Sequence, residues 1–346
     1  MGIQRKVSTK RVQELSDYVN TIDATFPTAV ILAIDERCVE LRPICSKSAE
    51  EFASTAFVMR LMNVPGDLDG SDTVLFREIA QVIDGQHRIV GLQHRVEKDS
   101  DFEINVAIFV GMDIADQAAV FSTVNLAQTK VNRSLAYDLF AYRENRSPEK
   151  TAHQVTLLLD QRPGSPFYHR IKRLGTRTEG RFGETLSQAT IVKSLLAYIT
   201  SNYIRDRDIG NRGGRWPAVT ESDAYRLIFR PWFVANEDEK IALQMWSYFQ
   251  AVSNRWPEAW RANEPGIILN RTNGFLALMR FLRPAYLSVA EPGTVVDVGA
   301  FEQIFQRCDL EEADLNRNRF VPGSSGQKAL YDYLMDSTGL AGPNAL

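Results

Sequence analysis

The chain has 346 residues, a length that corresponds on average to about two domains. Hydrophobic residues make up 44% and charged residues 24%, close to the globular average, which argues against wholesale disorder. There are 40 Lys and Arg residues against 43 Asp and Glu, and the net charge of −3 excludes a uniformly basic nucleic-acid-coating protein but allows a local basic face. The 3 cysteines cannot form a disulfide framework and no CxxC pair suggests zinc, so we expect a reducing, cytoplasmic location and predict no metal site.

Segments that would direct the chain to a membrane are not expected. The first ten residues are polar and basic, with no apolar stretch behind them, which argues against a secretory signal. The longest apolar runs are far shorter than the ~20 residues of a membrane-spanning helix.

Predicted strands and helices alternate in the first part of the chain. A helix is expected at 8–19, where Val12, Leu15 and Val19 share one face. Strands are predicted at 29–34, 38–42, 80–85 and 102–110, the last with both faces covered, and further helices at 86–96, 114–124 and 135–142. Asp113 and Ser134 are the predicted caps of the last two helices, and 63–72 is predicted to be a loop.

Helical patterns dominate the rest of the chain. Helices are predicted at 190–204, 241–256, 273–282 and 328–335, with polar loops at 206–217 and 258–265. The aromatic residues predicted to pack in the core are Trp246, Tyr248, Phe249, Trp256 and Trp260. The chain is therefore predicted to have an α+β fold with an N-terminal domain at 1–145 and a mostly helical domain at 146–346.

The segment Ile83-Asp84-Gly85-Gln86-His87-Arg88 combines three features of a phosphate-binding turn. An acidic residue ends a predicted strand, and a glycine permits a sharp turn and the close approach of a ligand. His87 and Arg88 fall at the start of a predicted helix, where backbone N–H groups and the helix dipole favour an anion. Arg88 adds a bidentate donor suited to phosphate, and His87 adds a donor or an acid–base group.

The same residues also fit a structural turn tied by an ion pair between Asp84 and Arg88. Neither a GxxxxGK[ST] nor a GxGxxG phosphate loop occurs in the chain. The residues alone leave both interpretations open.

Asp84-Gly85-Gln86-His87-Arg88 resembles the signature of the DGQHR-domain proteins. These include DndB-type regulators of DNA phosphorothioate modification and DpdB-type proteins of 7-deazaguanine DNA modification. Phe26-Pro-Thr and the strand after it are similar to the family's opening, and residues 121–130 and 134–139 are similar to its second block. A looser likeness lies at Thr272-Asn-Gly-Phe275.

The resemblance implies a ParB/sulfiredoxin-like fold for the N-terminal domain, in which the turn holds the phosphates of a nucleotide. It implies ATP or another nucleotide as ligand, together with Mg²⁺ in a hydrolysing version, and leaves open whether the protein is an ATPase. Gln86 stands where sulfiredoxins have a nucleophilic cysteine, so reduction of sulfinic acids is not expected.

Two groups of residues carry these implied roles. Those assigned to nucleotide or phosphate binding are Gly85, His87, Arg88, Asn125, Gln128 and Lys130. The candidate catalytic residues are Asp84, Gln86 and His87. In a hydrolysing protein Asp84 or Gln86 would orient water while His87 and Arg88 hold phosphates.

Two cation-rich stretches are candidate DNA contacts, because spaced Lys and Arg residues suit a track of phosphates. The predicted DNA-binding residues are Arg170, Lys172, Arg173, Arg177, Arg181, Arg212 and Arg215. For the second stretch the alternative is a solvated loop in which Asp206 and Asp208 cancel part of the charge.

The favoured function is a nucleotide-binding, DNA-contacting protein associated with DNA modification. Its expected partners are DNA and other DNA-modification proteins, and a homodimer is compatible with the aromatic-rich helical half. The alternative is a non-enzymatic transcriptional regulator of a DNA-modification gene cluster, and a third possibility is an accessory subunit with neither activity. Loss of turnover in Arg88→Ala or His87→Ala would favour the enzyme over the regulator.

Overall fold

The structure is a computed structural model, and it describes residues 9–43, 57–64, 73–96, 101–127, 132–138 and 144–340. The chain divides into two compact units, Met1–Lys130 and Val131–Leu346. Helices occur together with small sheets, which confirms the predicted mixed α+β class. The domain boundary between 145 and 146 stays a prediction. No helix within the described ranges is long and apolar enough to cross a membrane.

Short strands and helices alternate in the N-terminal unit. They are β1 Val30–Ile34, β2 Val39–Pro43, β3 Phe57–Leu61, β4 Ala80–Asp84 and β5 Val106–Val110, with helices α1 Thr9–Val19, α2 Gln86–Leu92 and α3 Ile114–Ala127. Strand β1 lies in the middle of a sheet of order β4-β1-β5, antiparallel to β4 and parallel to β5. Strands β2 and β3 form a separate antiparallel pair. The apolar run of β1 follows from this central position, since Val30, Ala33 and Ile34 are buried.

The strand predicted at 102–110 differs from the observed one. Regular pairing covers only Val106–Val110, because these are the residues aligned with β1. Phe109 and Val110 are exposed, so the prediction that both faces are covered is wrong; β5 is an edge strand of a three-stranded sheet. The cap at Asp113 is confirmed, since its Oδ1 accepts the N–H of Asp116 at 2.7 Å.

The C-terminal unit is mostly helical. Its helices are α4 Arg133–Asp138, α5 Pro148–Gln161, α6 Gln188–Ile199, α7 Tyr203–Asn211, α8 Glu221–Arg226, α9 Arg230–Val234, α10 Asp238–Arg255, α11 Pro257–Arg261, α12 Thr272–Leu287, α13 Val298–Phe305 and α14 Ser324–Thr338. Two short strands, β6 Ile171–Lys172 and β7 Leu186–Ser187, pair in parallel.

Aromatic side chains fill the core of this unit. The Phe249 ring lies 4.8 Å from Phe167, 5.4 Å from Phe275 and 5.4 Å from Trp260, measured between centroids. All four are almost fully buried, which confirms the predicted core role of Phe249 and Trp260. Tyr248 and Trp256 are buried as predicted, and Trp246 is partly buried against the same cluster.

The cap predicted at Ser134 is wrong. Asn132 accepts the N–H of Ser134 at 2.9 Å and so precedes α4, while Ser134 Oγ accepts the N–H of Ala189 at 3.2 Å. The serine is buried because it joins α4 to the start of α6. The predicted end of this helix, beyond Asp138, lies outside the described residues.

The helix predicted at 190–204 and the loop predicted at 206–217 are also corrected. Helix α6 ends at Ile199, and α7 occupies part of the expected loop. A buried ion pair between Asp206 and Arg230, 2.6 Å apart, and the Asn202 side chain at the cap stabilise α7 in spite of its polar sequence. Helix α11 likewise occupies part of the loop predicted at 258–265.

Candidate functional site

The DGQHR turn connects β4 to α2 as predicted. Asp84 is the last residue of β4, Gly85 adopts the left-handed conformation with φ of +97°, and α2 begins at Gln86. A Cβ added to Gly85 would lie 3.0 Å from Val30 Cγ2 and 3.3 Å from Val30 Cα. Glycine is therefore needed both for the backbone conformation and for the close approach to the central strand.

The Arg88 guanidinium is bonded within the protein. Nη2 donates to Asp84 Oδ2 at 2.8 Å, and Nη1 donates to Thr28 Oγ1 at 2.9 Å and Ala29 O at 3.1 Å, as well as to Thr28 O. These bonds tie the start of α2 to the end of β4 and to the chain entering β1. They correspond to the structural alternative for the motif, because both terminal nitrogens of Arg88 already have acceptors within the protein.

The structure describes only some of the other residues predicted for the nucleotide site. Gln86 and His87 are half-buried in the first turn of α2. Asn125 lies within α3, while Gln128 and Lys130 lie outside the described residues. Their roles in binding or catalysis stay predictions.

A pocket of about 470 Å³ lies in the N-terminal unit near the carboxyl ends of β1 and β5. Its lining includes the carboxylates of Asp35, Glu36 and Asp113. The Arg37 side chain, which donates to Asp35, lowers the pKa of Asp35 below its usual range. Phosphate is repelled by such a lining. Within the described ranges no group of three or more His, Cys, Asp or Glu is arranged to hold a metal ion.

Two of the predicted DNA-binding arginines support the C-terminal fold. Arg170 donates to the carbonyls of Trp260 at 3.0 Å and Arg261 at 3.2 Å, and burial lowers its pKa, as does the neighbouring charge of Arg261. Arg181 donates to buried Asp160 at 2.8 Å, and this bond raises the pKa of Arg181. Both guanidinium groups connect segments that are distant in the sequence, and Arg181 is in addition neutralised by a carboxylate.

The remaining cations of the two stretches differ in their surroundings. Arg212 pairs with Asp208 at 2.8 Å, and Arg173 is half-buried. Lys172, Arg177 and Arg215 form no ion pair or side-chain hydrogen bond with any residue that the structure describes, and the two arginines are exposed. These three charges are the ones available to an external anion.

Arg177 also lies in a pocket that the sequence analysis did not predict. This pocket, of about 450 Å³, is at the N-terminal end of α12 and is lined by Arg177, Arg271 and Arg317. We call it the α12 pocket. The sequence signal that could have located it is Thr272-Asn-Gly-Phe275, which forms the first turn of α12.

Comparison with known proteins bears on the N-terminal part of the chain. Residues 1–158 match the model of the DndB family, described as DNA-sulfur modification-associated. No curated protein matches the chain, and no solved structure does so either. The ParB/sulfiredoxin-like assignment therefore stays a prediction. The matched residues contain the turn from Asp84 to Arg88, so the N-terminal part of the chain is similar to the DndB family of DNA-sulfur modification-associated proteins.

Proposed function

We propose that the protein is a DNA-binding component of DNA-sulfur modification and that cationic side chains of its C-terminal unit contact DNA phosphates. The observation that carries this proposal is the contrast between Arg88, whose guanidinium is bonded within the protein, and Lys172, Arg177 and Arg215, which have no acceptor among the described residues. Cations without protein partners can neutralise phosphates and release the counterions condensed on DNA.

This function requires no chemistry at the DGQHR turn. It corresponds to the predicted non-enzymatic regulator of a DNA-modification gene cluster. The family match supports an association with modified DNA or its enzymes, and the contacts of Arg88 and Asp84 support a structural role for the turn. Because phosphate contacts carry no sequence information, a regulator would additionally need side chains that contact bases.

The test is the salt dependence of DNA binding, measured by fluorescence anisotropy on a duplex. In Lys172→Gln/Arg215→Gln, two phosphate contacts are removed, so the slope of log K against log salt should become less negative by about 2 relative to the wild type. The matched control is Lys193→Gln/Arg307→Gln, which removes one exposed charge from α6 and one from the turn after α13. Equal slopes in the two double variants, or no DNA binding by the wild type, would refute the proposal.

Nucleotide binding at the DGQHR turn is the second candidate. The observation in its favour is the left-handed turn at Gly85, which places Gln86 and His87 directly after the carboxyl end of β4. ATP, CTP or GTP with Mg²⁺, supplied at a hundred times the dissociation constant, should then stabilise the protein by about 2.7 kcal/mol. His87→Ala is the informative variant, since replacing Arg88 also removes the bonds that hold the turn. A thermal shift that is lost in His87→Ala would favour an ATPase or another nucleotide-dependent protein, and turnover would then be assayed.

A further inference from the structure

The α12 pocket concentrates positive charge from three distant parts of the chain. Arg177 comes from the segment between β6 and β7, Arg271 immediately precedes α12, and Arg317 comes from the segment between α13 and α14. Among the residues that the structure describes, no Asp or Glu contributes to its lining. Three like charges that converge without a carboxylate repel one another, and an anion bound between them would remove that repulsion.

The walls of the pocket are held by the protein itself. Arg271 Nη2 donates to Asn263 O at 2.9 Å and to Glu264 O at 3.3 Å, which fixes one guanidinium at the rim. The N–H of Arg317 donates to Gly266 O at 2.8 Å, and Ile267 pairs with Asn316 in an isolated β-bridge. The pocket is therefore formed by the chain's own contacts before any ligand binds.

The cationic side chains still have donors for a ligand. Arg177 and Arg317 are exposed, and neither side chain is bonded to a residue in the described part of the chain. Thr272 and Asn273 also line the pocket, in the first turn of the 16-residue α12, where Arg271 supplies no side-chain cap. The N–H groups of this turn add a partial positive charge to that of the arginines.

One wall of the pocket is apolar. Pro265, Ile267, Ile268 and Pro322 form this wall. Guanidinium groups beside an apolar wall fit a ligand with one strongly anionic end and one weakly polar face. The volume of about 450 Å³ lies within the range of roughly 300–1,000 Å³ that is usual for small-molecule sites.

We propose that the α12 pocket binds a nucleotide, with its phosphate on Arg177, Arg271 and Arg317 and its nucleoside against the apolar wall. The nucleotide is either free or the 5′-phosphorylated end of a DNA strand, since both present the same chemistry. This site goes beyond the general phosphate contacts proposed above, because it selects a phosphate together with its nucleoside.

The experiment is isothermal titration calorimetry of the full chain with thymidine 5′-monophosphate, thymidine and inorganic phosphate. Thymidine monophosphate should bind more tightly than either fragment. Arg317→Gln and Arg177→Gln should each weaken its binding by about tenfold, because each removes one charge-assisted contact. Arg307→Gln, an exposed arginine outside the pocket, is the control and should bind like the wild type. Neither the Arg177 nor the Arg317 side chain is bonded to another residue in the described ranges, so we expect both variants to keep the fold.

A second arm separates the two sources of the ligand. Two single-stranded oligonucleotides, one with a 5′-phosphate and one with a 5′-hydroxyl, are tested as competitors of thymidine monophosphate. Competition by the 5′-phosphorylated strand alone would assign the pocket to strand ends. If neither strand competes, the pocket binds free nucleotides. No binding of thymidine monophosphate, or equal binding to Arg317→Gln and Arg307→Gln, would overturn the proposal. Neither result depends on the salt slope of Lys172→Gln/Arg215→Gln, so failure of the pocket and failure of the proposed DNA contact are distinguishable.

Discussion

Arg88 and Asp84 are joined across the left-handed turn at Gly85, with 2.8 Å between Nη2 and Oδ2. The two side chains are only 17% and 26% exposed, so water screens their attraction less than it would on an open surface. The same guanidinium reaches Thr28 and Ala29, 60 and 59 residues earlier in the chain. Asp84, Gly85 and Arg88 of the DGQHR signature therefore act together to link β4, α2 and the chain that enters β1.

Removal of the hydrogen bonds of Arg88 should destabilise the N-terminal unit. In Arg88→Ala, Asp84 loses its charged partner and the carbonyl of Ala29 loses a donor, which should cost about 1–3 kcal/mol in the free energy of unfolding. The measurement is urea unfolding, monitored by circular dichroism. His87→Ala, one residue earlier, is the control and should have the smaller effect. An unchanged unfolding midpoint in Arg88→Ala would contradict the structural role.

Gly85→Ala should be more destabilising than Gly111→Ala. Both glycines lie in the N-terminal unit at positive φ, +97° and +71°, so backbone strain of about 1–3 kcal/mol applies to both. At Gly85 the new methyl group meets the backbone and side chain of Val30 in the central strand, whereas at Gly111 it meets the flexible Glu36 carboxylate at 3.0 Å. This overpacking should make the loss of stability in Gly85→Ala roughly 1 kcal/mol larger than that in Gly111→Ala, measured by the same urea unfolding. Equal losses of stability in the two variants would show that Val30 moves aside without a cost in free energy.

The sequence predicts those elements of the fold that local patterns determine. The apolar run around β1, the cap at Asp113 and the turn at Gly85 agree with the structure, because each depends on neighbouring residues. Helix α7 was missed because its stability comes from Asp206 pairing with Arg230, on a later helix. A polar stretch of this kind is indistinguishable from a loop until its tertiary partner is known.

The candidate site was predictable to a smaller extent. The sequence identified Arg170 and Arg181 as cations but not their acceptors, which lie 90 residues later at Trp260 and 21 residues earlier at Asp160. The segment Thr272-Asn-Gly-Phe275 could have located the helix start at the α12 pocket, but no single segment predicts that three arginines line it, since they converge only in the folded chain. Charge is visible in a sequence, whereas availability of that charge is a property of the tertiary structure.

Gly274→Ala should destabilise the C-terminal unit although alanine is the better helix former. A Cβ at this position in α12 would meet Ile268 O and lie 2.7 Å from Leu269 Cα, so the helix would have to move away from the backbone of these two residues, of which Ile268 lines the α12 pocket. We expect a loss of at least about 1–3 kcal/mol, by thermal unfolding. Gly299→Ala in α13 is the control; its nearest neighbour is the Asp297 side chain at 3.3 Å, so a gain or a loss of less than about 1 kcal/mol is expected. A stabilised Gly274→Ala variant would contradict this packing.

Glu149 should make the stability of the C-terminal unit fall as the pH rises above about 4.5. The side chain is almost fully buried at the start of α5, and its Oε2 has no hydrogen-bond partner among the residues described. Burial raises the pKa of Glu149 above its ordinary value of 4.5, although Arg207, 3.0 Å away, opposes the shift. The folded state therefore binds the proton more tightly than the unfolded chain. The resulting contribution to the free energy of unfolding is complete below pH 4.5 and is lost as the pH rises through the raised pKa.

Glu149→Gln isolates this contribution, because glutamine does not titrate. The free energy of unfolding of the wild type minus that of the variant should decrease with pH in the window that begins at 4.5, measured by urea unfolding at a series of pH values. Glu144→Gln, in which the replaced carboxylate is exposed, is the matched control, and an equal decrease in that variant would contradict the assignment of the effect to Glu149. A wild-type advantage that grows with pH would mean that the ion pair with Arg207 outweighs burial, since the pKa of Glu149 would then be lowered in the folded protein.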